Sequence, residues 1–577
     1  MRKNKEDTQT PFAHSSVSRF KVVKQWLPMP ENQANIFSSS RRWLVVDESA
    51  VDKSTGDANE MIAENIAAAL RQRGQQVTVL SLTPTLAGDE SALDRRLTDI
   101  ERQYGTIEGV ICLQAPKQPV KTWAEVFSEQ EYRAVETTFW LAKRLQGSLT
   151  GSGKGYFMVM MRGDGELLTS GRGCLPIVSA GVTGLTKSLN IEWKNVFCRT
   201  VDIEAGIHGD GFTDRDIANI VLEELQDSRT DVAEIGRNRQ GERMTLALVE
   251  EPVLAASEPA SAAAMPASSD NALPDDVFVV TGGARGITAQ CVIALAKQRK
   301  AVFILLGRTD INAPLPAWSI GKTTPAERQA AAIAYLQRKG IPPTPVKVNQ
   351  LLSRLIHTDE INATLQAIRQ TGSRALYLHC DITVPAQVKA ALEQGQQQFG
   401  QITGVIHGAG NLADKRIEKK TREDWHSVFT VKVKGLENLL RGLENLNLAL
   451  ESPGRNCASL RHIMLFSSVA GFFGNAGQTD YSMANEVLNK FAHLLFNQKP
   501  LPDKPNGRKN RPLIRAINWG PWDGGMVSDV LKRAYKAQNM VIIPLEEGTQ
   551  RFVREFNDSR SCQITIGGRT YIAPKKQ

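Results

Sequence analysis

The chain has 577 residues, more than one hydrophobic core serves, and about 150 residues per domain gives two to four domains. Its composition, 41% hydrophobic and 23% charged, is that of a globular protein, and its seven cysteines lack CxxC or Cys/His ligand spacing, which leaves out a disulfide framework and a metal site. The net charge of +9 is spread out, and its densest stretches, "KPLPDKPNGRKNRP" (499–512) and the terminal "PKKQ", lack aromatics for base stacking, so nucleic acid is not an expected partner.

Residues 1–40 read as an N-terminal extension. Their first residues, "MRKNKEDTQTPF", lack a signal-peptide core, and no run in the chain nears the roughly 20 apolar residues that span a bilayer, so a cytoplasmic protein without a membrane segment is expected. From 41 to 250, strand-like runs alternate with helical stretches: "RWLVVDE" (42–48), "QVTVLSL" (76–82), "IEGVICL" (107–113), "YFMVMMR" (156–162) and "FCRTVDI" (197–203). This pattern predicts a parallel sheet with crossover helices. The turn after its first strand, "DESAVDKS" (47–54), has three acids, one lysine and no glycine, and would repel a phosphate. The Ala/Pro/Ser-rich stretch 251–276 reads as a linker.

From 277 to 577 the same alternation returns, in "VFVVTGG" (277–283), "AVFILLGR" (301–308), "ALYLHCDI" (375–382), "ITGVIHGAG" (402–410), "HIMLFSS" (462–468), "IRAINWG" (514–520) and "CQITIGG" (562–568). The expected fold is therefore α/β, with two Rossmann-like parallel-sheet domains, the first degenerate and structural and the second catalytic. Here the first turn is "TGGARGIT" (281–288). Gly282, Gly283 and Gly286 let the backbone approach a pyrophosphate at a helix N-terminus, flanked by Thr281 and Ile287. Arg308, after the second strand, stands where an arginine holds a 2′-phosphate, and Arg285 offers a second guanidinium, so the expected cofactor is NADPH. Asp381 and Ile382 fall at the adenine edge, and Gly408, Ala409 and Gly410 on the ribose and nicotinamide side. An insertion of about 50 residues (310–358) contains one predicted helix, "TPAERQAAAIAYLQRKG" (324–340), then a Pro-rich turn.

The stretch "LFSSVAGFFGNAGQTDYSMAN" (465–485) carries a tyrosine, Tyr481, without the lysine four residues later that short-chain dehydrogenases place there; Asn485 holds that position. This arrangement resembles the ketoreductase domains of modular polyketide synthases. With the long insertion and "GLTKSLNIEWKNVFCRTVDI" (184–203), the chain is more similar still to those of bacterial polyunsaturated fatty acid synthases. The likeness runs from about residue 20 onward and includes the cofactor-less first half as a structural subdomain, in which Val178 stands where the second half has Tyr481.

The resemblance implies that the lysine comes from the helix after the fourth strand. In "VFTVKVKGLENLL" (428–440) the family pattern selects Lys432, with Gly435 after it, and not Lys434. Its charge is expected to lower the pKa of Tyr481. Ser468 would hold the substrate carbonyl and Asn485 would orient the lysine or a water. Pro521 would pack the nicotinamide, and 527–540 would form a lid. The implied reaction is reduction of a β-ketoacyl thioester on an acyl carrier protein, alongside other synthase components. Leu412 and Asp414, with Ala413 between them, and Phe473 at the position of a diagnostic tryptophan imply the 3R alcohol. A short-chain dehydrogenase acting on a free ketone and a non-catalytic scaffold are the alternatives.

Overall fold

The computed structural model describes residues 16–30, 36–48, 58–83, 86–116, 120, 122–171, 175–204, 212–251, 276–446, 460–497, 512–525, 529–537, 540–557 and 560–569. The linker 251–276 and the basic loop 499–512 lie outside them except for end residues, as do "PKKQ" and most of the acidic turn at 47–54. No helix among the described residues is long and apolar enough to cross a membrane.

The chain order begins with β1 (Val17–Leu27), then β2 (Arg42–Asp47), β3 (Gln76–Ser81), β4 (Gly109–Pro116), β5 (Gly155–Arg162) and β6 (Val196–Ile203). Next come β7 (Glu234–Arg237) and β8 (Arg243–Glu251). The second half supplies β9 (Val277–Thr281), β10 (Val302–Gly307), β11 (Arg374–His379), β12 (Gly404–His407), β13 (His462–Ser468), β14 (Leu513–Trp519) and β15 (Gln563–Gly568). Runs such as Val277–Thr281 and Val196–Ile203 are buried along their whole length, which suits strands covered by helices on both faces.

The two expected sheets are one. Its order is β11-β10-β9-β12-β13-β14-β15-β1-β8-β7-β6-β5-β4-β2-β3. Two parallel runs meet across β1 and β8, which pair antiparallel with each other and with β15 and β7. Joining the halves this way removes a free edge from each. Strand β1 comes from the segment read as an extension, and β7 and β8 are not among the predicted runs. "EIGR" in β7 has little apolar character, yet it is buried because Glu234 pairs with Lys187 at 2.9 Å and Arg237 with Glu223 at 2.5 Å.

In each half the strand order reverses beside its first strand, at β9/β12 and at β2/β4. That switch point is where such sheets open a crevice at the carboxyl ends of the strands. The insertion is a helical pair. Pro325–Arg338 is capped by a Thr324/Glu327 capping box, and Pro345–Gln370 follows the Pro-rich turn and runs past 358 to β11. Ala332, Leu336, Val348 and Leu352 form their shared core.

Helix Gly181–Glu192 of the first half lies along helix Thr479–Phe496 of the second, close enough that a Cβ on Gly184 would sit 2.5 Å from the Ser482 carbonyl oxygen. A buried charge cluster stitches the pair: Lys187 reaches Glu234 at 2.9 Å and Glu486 at 3.4 Å, and Lys490 reaches Glu486 at 3.0 Å.

Candidate active site

The glycine turn joins β9 to helix Gly286–Gln298. Gly282 has φ +67, and a Cβ there would come within 2.9 Å of Ala409. Gly286 has φ +64 with open space around it. A Cβ on Gly408 would strike Thr288 at 2.4 Å. Side chains are thus excluded at Gly282 and Gly408, and Gly286 opens the helix N-terminus. Thr281 fixes the turn against β12: its hydroxyl bonds His407 Nδ1 at 2.9 Å and accepts from the Ala409 N–H at 3.3 Å. His407 Nε2 lies 2.9 Å from the Lys432 carbonyl oxygen. Burial, with Lys432 adding to it, pushes His407 down to about 3, so it is neutral and structural.

Arg308 is exposed at the end of β10 and makes no ion pair with the described residues. Arg285 occupies the N-cap position of the glycine helix without a side-chain capping bond, and lies 3.4 Å from Glu360 on the insertion's long helix, a partner the sequence does not suggest. Asp381 closes its own turn, its Oδ1 accepting from the Thr383 N–H at 2.9 Å and hydroxyl at 2.7 Å. Ile382 is buried, and its carbonyl accepts from Asn438 Nδ2 at 2.8 Å. Gly410 follows on the same half-buried loop as Gly408 and Ala409. The Pro521 carbonyl accepts from the Ile543 N–H at 2.7 Å, and a Cβ on Gly525 would meet Ile287 at 2.8 Å, so this turn lies over the glycine helix. Helix Asp529–Ala537 falls within the predicted lid.

Tyr481 stands in the first turn of helix Thr479–Phe496. Lys432 Nζ, only 3% exposed as a residue, lies 5.5 Å from the Tyr481 ring centre and donates to the Phe466 carbonyl oxygen at 2.8 Å. Lys434 turns to the first half, pairing with Glu129 at 2.7 Å and with Glu437 at 3.2 Å. Ser468 ends β13 and caps the short helix Val469–Phe473, its hydroxyl accepting from the Ala470 N–H at 3.2 Å. Asn485 donates to the Tyr481 carbonyl oxygen at 2.7 Å, while its buried Oδ1 has no protein partner.

One expectation is corrected. The phenol of Tyr481 lies above its ordinary value, because burial raises it more than Ser468 and Asn485 lower it, and Asp414 raises it further. Lys432 does not reverse this: its ammonium bonds a carbonyl, and burial pulls its own pKa down to about 7.

Asp414 accepts from Gln478 Nε2 at 3.0 Å, and Leu412 is half-buried two residues before it. Phe473 stacks edge-on against Phe472 with centres 4.8 Å apart and joins an apolar cluster with Leu167, Met244 and Leu246 at the seam with the first half.

Residues 277–524 match the family model of the KR domain. A polyunsaturated fatty acid synthase polypeptide of Thraustochytrium is 32% identical over 515 residues, covering 86% of this chain and 16% of that protein. The chain carries a ketoreductase domain of the polyketide and polyunsaturated fatty acid synthase type. Polyketide synthase PksL of Bacillus subtilis is 26% identical over 400 residues, covering 68% of the chain and 7% of PksL, so the chain spans a small fraction of these relatives. Among solved structures, an N-terminal ketoreductase from the macrolactin assembly line superposes with TM-score 0.65 at 18% identity, covering 96% of this chain and 93% of that one. A ketoreductase domain from the bacillaene assembly line gives 0.58 at 19% identity, covering 96% and 99%.

The ketoreductase is an oxidoreductase acting on a keto group, and its fold implies a nicotinamide cofactor. The glycine turn fits one, since the helix N-terminus at Gly286 is open, with no atom within 4 Å of a Cβ placed there. Sequence reasoning misses His407, Asn438 and Glu360, whose roles arise only from contacts between distant segments.

Proposed function

We propose that this ketoreductase uses NADPH to reduce a β-ketoacyl thioester on an acyl carrier protein to the (3R)-β-hydroxyacyl thioester, in the cytoplasm beside other components of a polyketide or polyunsaturated fatty acid synthase. One observation supports it most: Tyr481, Ser468, Lys432 and Asn485, drawn from three elements, converge near the carboxyl ends of β12 and β13, next to the glycine turn of β9.

Gly282, Gly283 and Gly286 would hold the pyrophosphate, with Arg308 on the 2′-phosphate. When bound, NADPH supplies a hydride to the β-carbonyl carbon. Tyr481 gives its proton to the carbonyl oxygen, which Ser468 and Tyr481 polarise as paired donors. A phenol held above its ordinary pKa is protonated at neutral pH and gives up its proton only to a stronger base, the alkoxide that forms as the carbonyl is reduced. Lys432, near 7, is poised to return a proton to the tyrosinate. Asn485, with a free buried Oδ1, is placed to hold a water on that path. Leu412 and Asp414 on one side of the cleft would set the face of the ketone.

The test is incubation with NADPH and an acetoacetyl thioester, free or carrier-bound, with chiral chromatography of the product. Oxidation of NADPH with a predominantly 3R product is expected. A 3S product would refute the stereochemical part alone. Turnover only on free ketones would favour a general dehydrogenase, and no turnover a scaffold.

A further inference from the structure

The cofactor-less half touches the catalytic cleft directly. Glu192 is the last residue of helix Gly181–Glu192, and its two carboxylate oxygens accept from two backbone N–H groups of the catalytic half: Gly477 at 2.7 Å and Ile417 at 3.3 Å. Gly477 lies four residues before Tyr481. Ile417 lies three residues after Asp414. One carboxylate from the first half therefore ties the segment carrying Asp414 to the segment that leads into Tyr481.

The same two segments are joined again behind it. The Lys415 N–H donates to the Gly477 carbonyl at 3.0 Å. Lys420, fully buried, donates to the Ala413 carbonyl at 2.7 Å and to Asp480 at 2.8 Å, and Asp480 in turn accepts from the Tyr481 N–H at 2.8 Å. Both N–H groups held by Glu192 belong to the catalytic half, so the contact fixes the spacing of two walls of the cleft as well as joining the halves.

We propose that Glu192 is a positioning residue of the ketoreductase: it sets the gap between Asp414 and Tyr481, and through it the face of the ketone that meets the cofactor. This rests on the reductase reading above. Hydrogen bonds to a carboxylate are the strong kind, and a difference between two substrate poses need only be small to change product hand tenfold. A shift of about 1 Å in a positioning element is enough to matter.

Glu192→Gln keeps the volume and one acceptor but turns the other atom into a donor facing an N–H. With NADPH and the acetoacetyl thioester, it is expected to lower the ratio of major to minor alcohol about tenfold and to lower kcat, while NADPH affinity stays within about twofold. Ser188→Ala is the control. Ser188 Oγ accepts from the Asn475 N–H at 3.2 Å, on the Tyr481 side alone, so its loss should leave the ratio unchanged. If Glu192→Gln does not fold, Asp480→Asn reads the same spacing from the other end and carries the same expected fall. An unchanged ratio in the folded variant, or a fall equally large in Ser188→Ala, overturns the inference. A wild-type protein that does not reduce the thioester overturns the reading beneath it.

Discussion

Both halves reverse their strand order beside their first strand, and they differ in what they place at the ends of the strands. In the catalytic half the first strand opens into glycines and the fifth, β13, ends in Ser468. In the first half the first strand ends in Asp47 and Glu48, and Glu48 accepts from Thr138 at 2.9 Å. There the strand β5 runs into a loop wrapped on two buried carboxylates. Asp202 accepts from the N–H groups of Gly163 at 2.9 Å and Leu167 at 2.8 Å, and Asp164 from those of Glu166 at 2.9 Å and Leu168 at 2.7 Å. Burial, with Asp164 beside it, raises Asp202 well above the usual carboxylate range, while Asp164, though buried, is held below it by hydrogen bonds from Ser170. A cavity in this half is lined by Glu48 and Glu131 together with Leu82, Ala87 and Ala115. The first half places acids where the second places glycines. Fold alone therefore does not specify a site.

The sharpest test of that contrast is Tyr481→Phe. It should reduce turnover about 10²–10⁴-fold, the usual worth of a positioned proton donor, with NADPH binding nearly intact. Retained turnover in this variant would mean that the proton comes from another group.

Lys432 also differs from the paired buried cations of both halves, such as Lys420 with Asp480 in its own half. Arg199 and Arg243 in the first half are closed off by Glu224 and Asp227, all within 1% of full burial. Lys432 has no acid partner among the described residues and has fallen to about 7. A folded-state pKa below the unfolded value means the unfolded chain binds more protons between about pH 7 and 10, so wild-type stability should rise with pH across that window. Lys432→Met should be inactive yet more stable than wild type by on the order of a few kcal/mol below pH 7, less about 1–3 for the orphaned Phe466 carbonyl. That advantage should shrink as pH rises toward 10. Denaturant titrations at pH 6 and 9 measure it, and an advantage equal at both would show that Lys432 is not desolvated.

Arg308→Asp should weaken NADPH by about 1.5–3 kcal/mol, the loss of a charged hydrogen bond, with NADH little affected. Calorimetric titration of the unaltered chain should give one equivalent of NADPH. Two equivalents would break the contrast outright, because the acid-bearing turn would have to bind phosphate.

How much of this is legible in the sequence follows from the reach of each interaction. The parallel strands are readable because their apolar runs are local. The strand "EIGR" is not, since its burial depends on Lys187 and Glu223, residues outside the strand. The glycine turn announces itself in eight consecutive residues. Glu192 does not, lying 285 positions from Gly477. The expected direction of the Tyr481 shift fails for a related reason: sequence shows that a lysine is near in pattern, but not that burial outweighs it or that a carbonyl holds it.

The smallest effect separates two lysines that sequence pattern alone distinguishes. Lys434 lies two positions from Lys432 on helix Arg422–Asn445, which turns it by more than half a circle to the opposite face. It sits 4.6 Å from the Tyr132 ring centre and is paired with Glu129, both in the first half. The Glu129 side chain is 71% exposed and that of Lys434 25% exposed, so water screens the pair. Exposed pairs of this kind are worth about 0.2–1 kcal/mol, and the cation on the Tyr132 ring adds on the order of 0.5–1. Lys434→Ala should therefore lower stability by about 1–2 kcal/mol, more at low salt than at high, and leave kcat and NADPH affinity unchanged. The measurement is a thermal melt at two salt concentrations beside steady-state kinetics. If Lys434→Ala stops turnover while Lys432→Ala does not, the face of this helix that serves chemistry is the one packed on the first half, and the division of labour between the two regions must be redrawn.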